Sequence, residues 1–265
     1  MAEPFGIQLR SWRLARRVSQ EALAARAEVS TRHLSFLENG RSKPSREVLL
    51  ALACALDVPL RERNTLLTAA GFAAAYSASR LDDHQLVPLR RAIDHVLEQQ
   101  EPYGAIVLDG HWNIQRMNRG ALRVFRHFAP TTSAGALVAQ NLMLGLVHPE
   151  ALRPYLVNWS EVAGHTVARL HQEIAAQPAD EERARLLARV LAQPDVPAEW
   201  RVPEPGRTAA PFVSAHLRSP TLEVRLFSML TSIGTPLDVT AEEIHIESYF
   251  PADEATEAAL RALAE

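Results

Sequence analysis

The sequence has one cysteine, one lysine and no apolar run long enough to cross a lipid bilayer. The single cysteine, Cys54, excludes an intrachain disulfide, and its place on the apolar face of a predicted helix indicates a small core residue rather than a redox sensor. The first residues lack the charged head and apolar stretch of a secretion signal. We therefore expect a cytoplasmic protein that does not bind membranes.

The common catalytic signatures are also missing. The sequence contains no G-x-S-x-G, H-E-x-x-H, P-loop or nucleotide-binding glycine motif, so we expect no enzyme activity, no catalytic residues and no certain cofactor. Glu243, His245 and Glu247 alternate on a predicted strand, and side chains of these types can together hold a metal ion. Such a trio is more typical of the wet face of an exposed or edge strand, and no metal site is predicted.

Charge divides the chain into a basic head and an acidic body. Residues 1–70 carry 11 Arg and Lys against 7 Asp and Glu, whereas residues 71–265 carry 17 against 24. This asymmetry fits a nucleic-acid-binding module joined to a domain with a different task. The spacing of apolar residues predicts five short helices within the basic head, joined by tight turns.

Residues 20–39 have the pattern of a helix-turn-helix. Ala24 is the small residue where the first helix packs under the second, Val29 anchors the turn, and Ser30 caps the second helix. The first turn of that second helix is polar, as entry into the major groove requires. Arg32 is the predicted base reader, because its guanidinium matches two acceptors of guanine. Phosphate neutralisation is expected of Arg41 and Lys43, and the other DNA contacts predicted from this pattern are Thr31, His33 and Ser35.

Residues 8–70 resemble the phage-repressor and Cro type of helix-turn-helix, the XRE family. The matching features are SQEALA at 19–24, VS at 29–30, LENGR at 37–41 and the proline at 44. The resemblance implies that Gln20 contacts a phosphate and braces the recognition helix, and that Asn39 also meets a phosphate. It further implies a structural ion pair between Arg13 and Glu38.

The rest of the chain predicts a mixed α+β domain with an antiparallel sheet. Helices are predicted at 118–128, at about 141–176, at 180–193 and at 252–264, with a loop at 129–140. The residue pair Asp109-Gly110 is predicted as a hairpin turn. The predicted strands are Tyr103–Asp109, Trp112–Met117, Phe212–Arg218, Thr221–Ser232 and Glu242–Phe250.

The segment AIVLDGHWNIQRMNRGAL resembles the first hairpin and helix of a PAS-type sensor domain. With Asn141-Leu142, His148-Pro149-Glu150 and Tyr155–Trp159, the block also resembles the ligand-binding half of the MmyB-like regulators, in which this sensor follows an XRE head. The resemblance implies a fatty acid or a similar lipophilic ligand, held between the sheet and its covering helices.

Apolar residues for such a cleft are plentiful, and for each of them an ordinary core position is favoured over ligand contact. A carboxylate head would want an arginine at the rim, for which Arg153 is predicted, with Arg116 and Arg225 as alternatives. The predicted apolar contacts are Met117, Phe125, Met143, Trp159, Phe227 and Leu230.

The predicted fold class is an all-α, five-helix helix-turn-helix domain at 1–72 and an α+β, PAS-like ligand-binding domain with an antiparallel sheet at 102–265, connected by a linker and helix at 73–101. The predicted function is a ligand-responsive transcription regulator that binds a double-stranded DNA operator as a homodimer. The main alternative is a regulator whose C-terminal domain serves only dimerisation or binding of a protein partner. An enzyme with a DNA-binding head and an antitoxin are less favoured.

Overall fold

A computed structural model describes residues 4–128, 140–177, 180–202 and 212–265. The contacts divide the chain into two compact units. The first contains Met1–Leu81 together with Thr235–Glu242, and the second contains Asp82–Gly234 and Glu243–Glu265. The predicted linker and connecting helix at 73–101 are therefore shared between the two units. None of the helices in the described residues is both long and apolar enough to cross a membrane.

The first unit is built mainly from five helices, as predicted. They are α1 (Phe5–Ala15), α2 (Gln20–Arg26), α3 (Thr31–Glu38), α4 (Arg46–Ala55) and α5 (Leu60–Ala69).

Serine caps set where three of these helices begin. The hydroxyl of Ser19 accepts from the amide of Ala22 at 3.1 Å, and that of Ser30 accepts from the amide of His33 at 3.1 Å. Ser45 caps α4 in the same way. Each cap satisfies an amide that the helix leaves without an internal partner.

A close backbone approach fixes α1 against the end of α3. A Cβ atom added to Gly6 would lie 2.4 Å from the carbonyl oxygen of Leu37 and 2.7 Å from that of Glu38. Only glycine allows this approach, so the chain can pack α1 directly on the backbone of α3. The buried core that these helices share includes Leu9, Trp12, Leu23, Leu34, Leu37, Leu49, Leu52, Leu56 and Leu67.

The expected core position of Cys54 is wrong. Its side chain is exposed. The inward face of α4 consists of Leu49, Leu52 and Ala53, and Leu56 follows at the end of the helix. These positions follow the i, i+3, i+4, i+7 spacing of one helical face, which places Cys54 on the solvent side.

The second unit is an α+β domain around one antiparallel sheet, and the predicted fold class is confirmed. The strand order is β2-β1-β5-β4-β3, so β5 lies at the centre. The strands are β1 (Ala105–Leu108), β2 (Ile114–Met117), β3 (Ala215–Arg218), β4 (Glu223–Ser232) and β5 (His245–Pro251). The helices numbered after α5 are α6 (Val87–Gln99), α7 (Arg119–Phe128), α8 (Leu142–Val147), α9 (Trp159–Ala176), α10 (Glu181–Leu191), α11 (Val239–Glu243) and α12 (Glu254–Ala262).

The first hairpin is longer than the predicted two-residue turn. The backbone closes between the amide of Asp109 and the carbonyl of Asn113, and the positive φ of 66° falls on Trp112 rather than on glycine. The carboxylate of Asp109 holds this loop, because it accepts bonds from the amides of His111 and Asn113 and from the side chain of Gln115.

Asn118 ties this hairpin to the helices beside it. Its side-chain oxygen accepts from the amides of Ala105 and Ala121, both at 2.9 Å, and its nitrogen donates to the carbonyls of Leu97 and Tyr103. The buried amide is thereby satisfied from β1, from α7 and from the end of α6, so it fixes these elements in one arrangement.

Other boundaries differ from the predictions. The continuous helical pattern at 141–176 is interrupted, since residues 148–158 leave the helix and contain a short 3₁₀ turn at Arg153–Tyr155. Most of the predicted loop at 129–140 lies outside the described residues. The predicted last strand begins too early, because Glu243 ends the short helix α11. The shared exposed or edge strand expected for Glu243, His245 and Glu247 is wrong as well, since His245 and Glu247 lie on the central strand β5 and Glu243 lies outside it.

The segment Thr235–Glu242 connects β4 to β5 in the chain but packs within the first unit. Asp238 accepts from the hydroxyl of Ser77 at 2.7 Å and from the amide of Ser79 at 3.1 Å. Glu242 accepts from the amide of Leu60 at 2.7 Å, at the first residue of α5. A carboxylate at this position satisfies an amide that α5 leaves open and complements the positive end of its dipole.

Candidate nucleic-acid interface and cavity

The leading turn of α3 faces solvent. Thr31 and Arg32 are exposed and His33 is half-buried, whereas Leu34 and Leu37 on the opposite side have no accessible surface. The guanidinium of Arg32 lies 5.4 Å from the ring centroid of Phe36 on the next turn. The helix therefore presents a polar, cationic edge on an apolar base, as a recognition helix does.

A buried ion pair holds the other end of this helix. Arg13 donates to Glu38 through Nε at 2.6 Å and through Nη2 at 2.8 Å, and Gln20 donates to the same carboxylate at 2.8 Å. The implied pair between Arg13 and Glu38 is confirmed. Gln20 also reaches the recognition helix, through Glu38, so α1 and α2 both position α3.

The ion pair changes the acid chemistry of both partners. Burial raises the pKa of Glu38, but hydrogen bonds from Arg13 and Gln20 outweigh it and leave that pKa below its usual value. The hydrogen bond to Glu38 raises the pKa of Arg13. Both groups are therefore charged at neutral pH.

The remaining predicted DNA contacts lie along or just after α3. Ser35 is half-buried and Asn39 is exposed, and the side-chain nitrogen of Asn39 donates back to the carbonyl of Ser35 at 2.8 Å. Arg41 and Lys43 follow the helix and are both exposed. These two cationic side chains thus lie on the chain segment that leaves the C-terminal end of α3.

A cavity of about 610 Å³ lies in the second unit, which is within the usual size range of small-molecule sites. Its wall is formed by β3, β4 and β5 of the sheet and by residues of α7, α8 and α9. The apolar lining residues are Trp112, Ala121, Val124, Phe125, Leu142, Leu146, Leu152, Leu156, Val162, Phe212, Val213, Ala215, Leu217, Leu226 and Leu260.

Of the predicted apolar contacts, Phe125 lines this cavity. Met143 is fully buried in the core, and Met117 and Trp159 pack against it. Phe227 stacks on Phe250. Leu230, near the end of β4, is 45% exposed. None of these five is among the described residues that line the cavity.

The arginines considered for a carboxylate are engaged elsewhere. Arg153 lies 3.9 Å from the ring centroid of Trp159 and donates to the carbonyl of Pro194. Arg116 pairs with Asp94. Arg225 pairs with Asp253 at 3.3 Å and with Glu223 at 3.5 Å.

The sequence analysis missed the polar residues that do line the cavity. They are His165, Thr166, Arg169, Ser228, Glu247 and Tyr249. The alternation at the start of β5 predicted that Glu247 lies on one face of a strand, but it did not show whether that face is interior or exposed. The position of β5 at the centre of the sheet identifies that face as interior.

One polar group of the cavity is already neutralised. Arg169 donates to Glu173 at 2.9 Å and lies 4.6 Å from the ring centroid of Trp112, whose indole nitrogen donates to the same carboxylate at 3.1 Å. Arg183 lies 4.0 Å from Glu173 on the far side. The positive charge of Arg169 is therefore balanced before any ligand enters.

Nearby, His111 and Asp180 form a second pair. The hydrogen bond that the ring of His111 donates to Asp180 raises the pKa of His111. Burial raises the pKa of Asp180, but the bond to His111 and backbone amides outweigh it and lower that pKa to about 2. Among the described residues, no group of three His, Cys, Asp or Glu side chains is placed to hold a metal ion.

Two family models match the chain. The MmyB-like transcription regulator ligand binding domain matches residues 89–263, and a helix-turn-helix matches residues 9–63. No curated protein matches. An exposed recognition helix and a domain of the ligand-binding type define a ligand-responsive, DNA-binding transcription regulator. The chain belongs to the MmyB-like transcription regulators.

The buried pair generates a stability prediction. Glu38→Gln leaves the guanidinium of Arg13 buried without its carboxylate. We therefore expect the free energy of local unfolding of α3 to fall by about 3 kcal/mol. The pKa of Glu38 is lowered by folding, so its stabilisation is present above about pH 4.3 and is lost as the pH falls through the folded-state value. Hydrogen exchange of the α3 amides in the full chain, followed by mass spectrometry, measures both effects.

Two variants control this experiment. Glu21→Gln removes an exposed carboxylate from the first turn of α2 and is expected to lower the free energy of local unfolding by less than about 1 kcal/mol. Arg13→Met combined with Glu38→Leu removes both charges and is expected to recover much of the loss. Unchanged exchange in Glu38→Gln would show that the pair does not hold α3.

Proposed function

We propose that this protein is a cytoplasmic, homodimeric transcription regulator that reads a specific operator with α3 and responds to a small lipophilic molecule in its C-terminal domain. The DNA-binding half of this proposal rests on the exposed first turn of α3. The ion pair between Arg13 and Glu38 holds the opposite end of the same helix. A dimer would place two such helices in successive major grooves, about 10 bp apart.

Each predicted DNA contact then has a role. Arg32 reads guanine, and Thr31 and His33 touch neighbouring bases or phosphates. Arg41 and Lys43 neutralise phosphates without reading sequence. Gln20, Ser35 and Asn39 complete the set of DNA contacts by positioning the helix and meeting the DNA backbone.

The ligand half of the proposal rests on the apolar cavity. Its walls come from the sheet on one side and from helices on the other, which is the arrangement proposed for a PAS-like sensor. A fatty acid or a similar chain would gain about 25 cal/mol for each Å² of apolar surface that it hides from water. A C-terminal domain that only dimerises or binds a protein partner needs no such cavity, so the cavity favours sensing over that alternative.

Arginine substitutions separate sequence reading from phosphate binding. Arg32→Ala is expected to cost about 1–3 kcal/mol at the preferred site and to broaden the sequences recovered by selection from random DNA. Arg41→Ala is expected to weaken binding to all DNA alike and to lower the salt dependence by about one phosphate contact. Affinities are measured by fluorescence anisotropy at several salt concentrations.

Arg185→Ala, an exposed arginine on α10, is the matched control and should change neither property. The base-reading role of Arg32 is refuted if its alanine variant selects the same DNA sequences with the same preference at every position.

Filling the cavity tests the sensing role. We expect wild-type protein to release a lipophilic molecule such as a fatty acid when it is denatured and analysed by mass spectrometry. Val162→Trp adds bulk inside the cavity and should abolish that release, whereas Gln172→Trp adds the same bulk at an exposed position of α9 and should not. If nothing is released, and if neither added fatty acids nor added uncharged lipids such as fatty alcohols change thermal stability or DNA affinity, the sensing role fails.

The chain itself offers a route from the cavity to the DNA-binding unit. Ser228 on β4 and Glu247 on β5 line the cavity, and the segment between these strands, Thr235–Glu242, packs within the first unit. We propose that ligand binding shifts β4 and β5 and thereby alters the bonds that Asp238 and Glu242 make to that unit.

The Ser77→Ala and Glu242→Ala double variant tests this route, because it removes one hydrogen bond to Asp238 and the bond between Glu242 and the amide of Leu60. For the double variant, the DNA affinity of the protein as purified is divided by its DNA affinity after the lipid has been removed. This ratio should move toward one, while the affinity of the variant for lipid stays that of the wild-type protein. Glu254→Ala, an exposed acidic residue at the start of α12, is the control. An unchanged ratio in the double variant would exclude this route.

A further inference from the structure

Glu247 is a carboxyl group in an apolar setting. It lies on the central strand of the sheet and lines the cavity, opposite Ile106 of β1. Its Oε2 atom is buried and has no hydrogen-bond partner. An unpartnered carboxyl oxygen at such a site is costly, and a native protein that keeps one usually has a use for it.

Two hydroxyl groups accompany this carboxyl. Tyr249 lies two residues further along β5 on the same face, and Ser228 is directly opposite Tyr249 on β4. Burial raises the pKa of Glu247, and the hydrogen bond from Ser228, the positive charge of Arg169 and the hydrogen bond from Tyr249 offset this only in part. Burial raises the pKa of Tyr249 well above its usual value, so the phenol keeps its proton.

A charged carboxylate would find little support here. Arg169 is the only arginine among the described residues that line the cavity; its charge lowers the pKa of Glu247, but its side chain is already hydrogen-bonded to Glu173. Placing an ionised head group beside Glu247 would bring two carboxyl groups together in a site of low polarity, which forces one of them to take up a proton.

We propose that Glu247, Tyr249 and Ser228 form a polar subsite that receives the hydroxyl group of an uncharged lipophilic ligand, and that the cavity disfavours the carboxylate of the same chain. The hydroxyl donates to the open oxygen of Glu247 and accepts from a neighbouring hydroxyl. The terminal torsion of a glutamate is broad, so either oxygen can turn toward the head group. This proposal rests on the proposed function, because it requires the cavity to hold a ligand.

The experiment compares three probes of one chain length, decanol, decanoate and decylamine, with the full-length protein at neutral pH. Dissociation constants are taken from the change in tryptophan fluorescence, since Trp112 lines the cavity, and are checked by thermal shift. In the wild-type protein we expect decanol to bind at least about tenfold more tightly than decanoate.

Glu247→Gln keeps the shape and removes the acid. It should strengthen decanoate binding by about tenfold and change decanol binding by less than about threefold, so the preference largely disappears. Glu247→Leu should weaken decanol binding by about tenfold. Glu199→Gln removes an exposed acid in the same unit, outside the cavity lining, and should change nothing.

The outcomes distinguish this inference from the function on which it rests. If decanoate or decylamine binds the wild-type protein as tightly as decanol, or if Glu247→Gln leaves the preference unchanged, the hydroxyl subsite is wrong while the ligand cavity stands. If none of the three probes binds and Val162→Trp has no effect on any readout, the cavity is not a ligand site and both proposals fall.

Discussion

The ion pair between Arg13 and Glu38 is the constraint on which DNA reading depends. Glu38 is the last residue of α3, and its buried carboxylate accepts from Arg13 of α1 and from Gln20 at the start of α2. Removing one charge would leave the other without a partner in a dry site, which is why such pairs are costly to break. The turn around Arg32 is exposed, whereas the opposite end of the same helix is held by α1 and α2 at once.

Local pattern was sufficient for this unit. Serine caps, a small residue under the helix crossing and the spacing of leucines are all short-range features, and they predicted five helices. The pairing of Arg13 with Glu38 was implied by the resemblance to the XRE family. The position of Cys54 was predicted wrongly because it was assigned to the apolar face of α4. Its neighbours Leu52, Ala53 and Leu56 define the inner face of α4, and a stricter count of the helical period would have placed the cysteine outside.

The cavity could not be predicted to the same depth, because its walls come from residues far apart in the sequence. Alternation along β5 showed that Glu247 and Tyr249 share a face, but strand order decides whether that face meets solvent or helices. A carboxyl group was therefore assigned to solvent when it lies in the interior. The place of Trp112 in the cavity wall was also not predicted. It depends on a five-residue loop that Asp109 holds, where the sequence predicted a two-residue turn.

The discontinuous composition of the first unit bears on how the protein is made. An N-terminal fragment ending near residue 81 would contain all five of the unit's long helices, yet the amide of Leu60 and the hydroxyl of Ser77 would lack the carboxylates that satisfy them in the whole chain. During synthesis these bonds can form only after residue 242 has left the ribosome. Assembly of the DNA-binding unit is thus completed only after most of the ligand-binding domain has been synthesised.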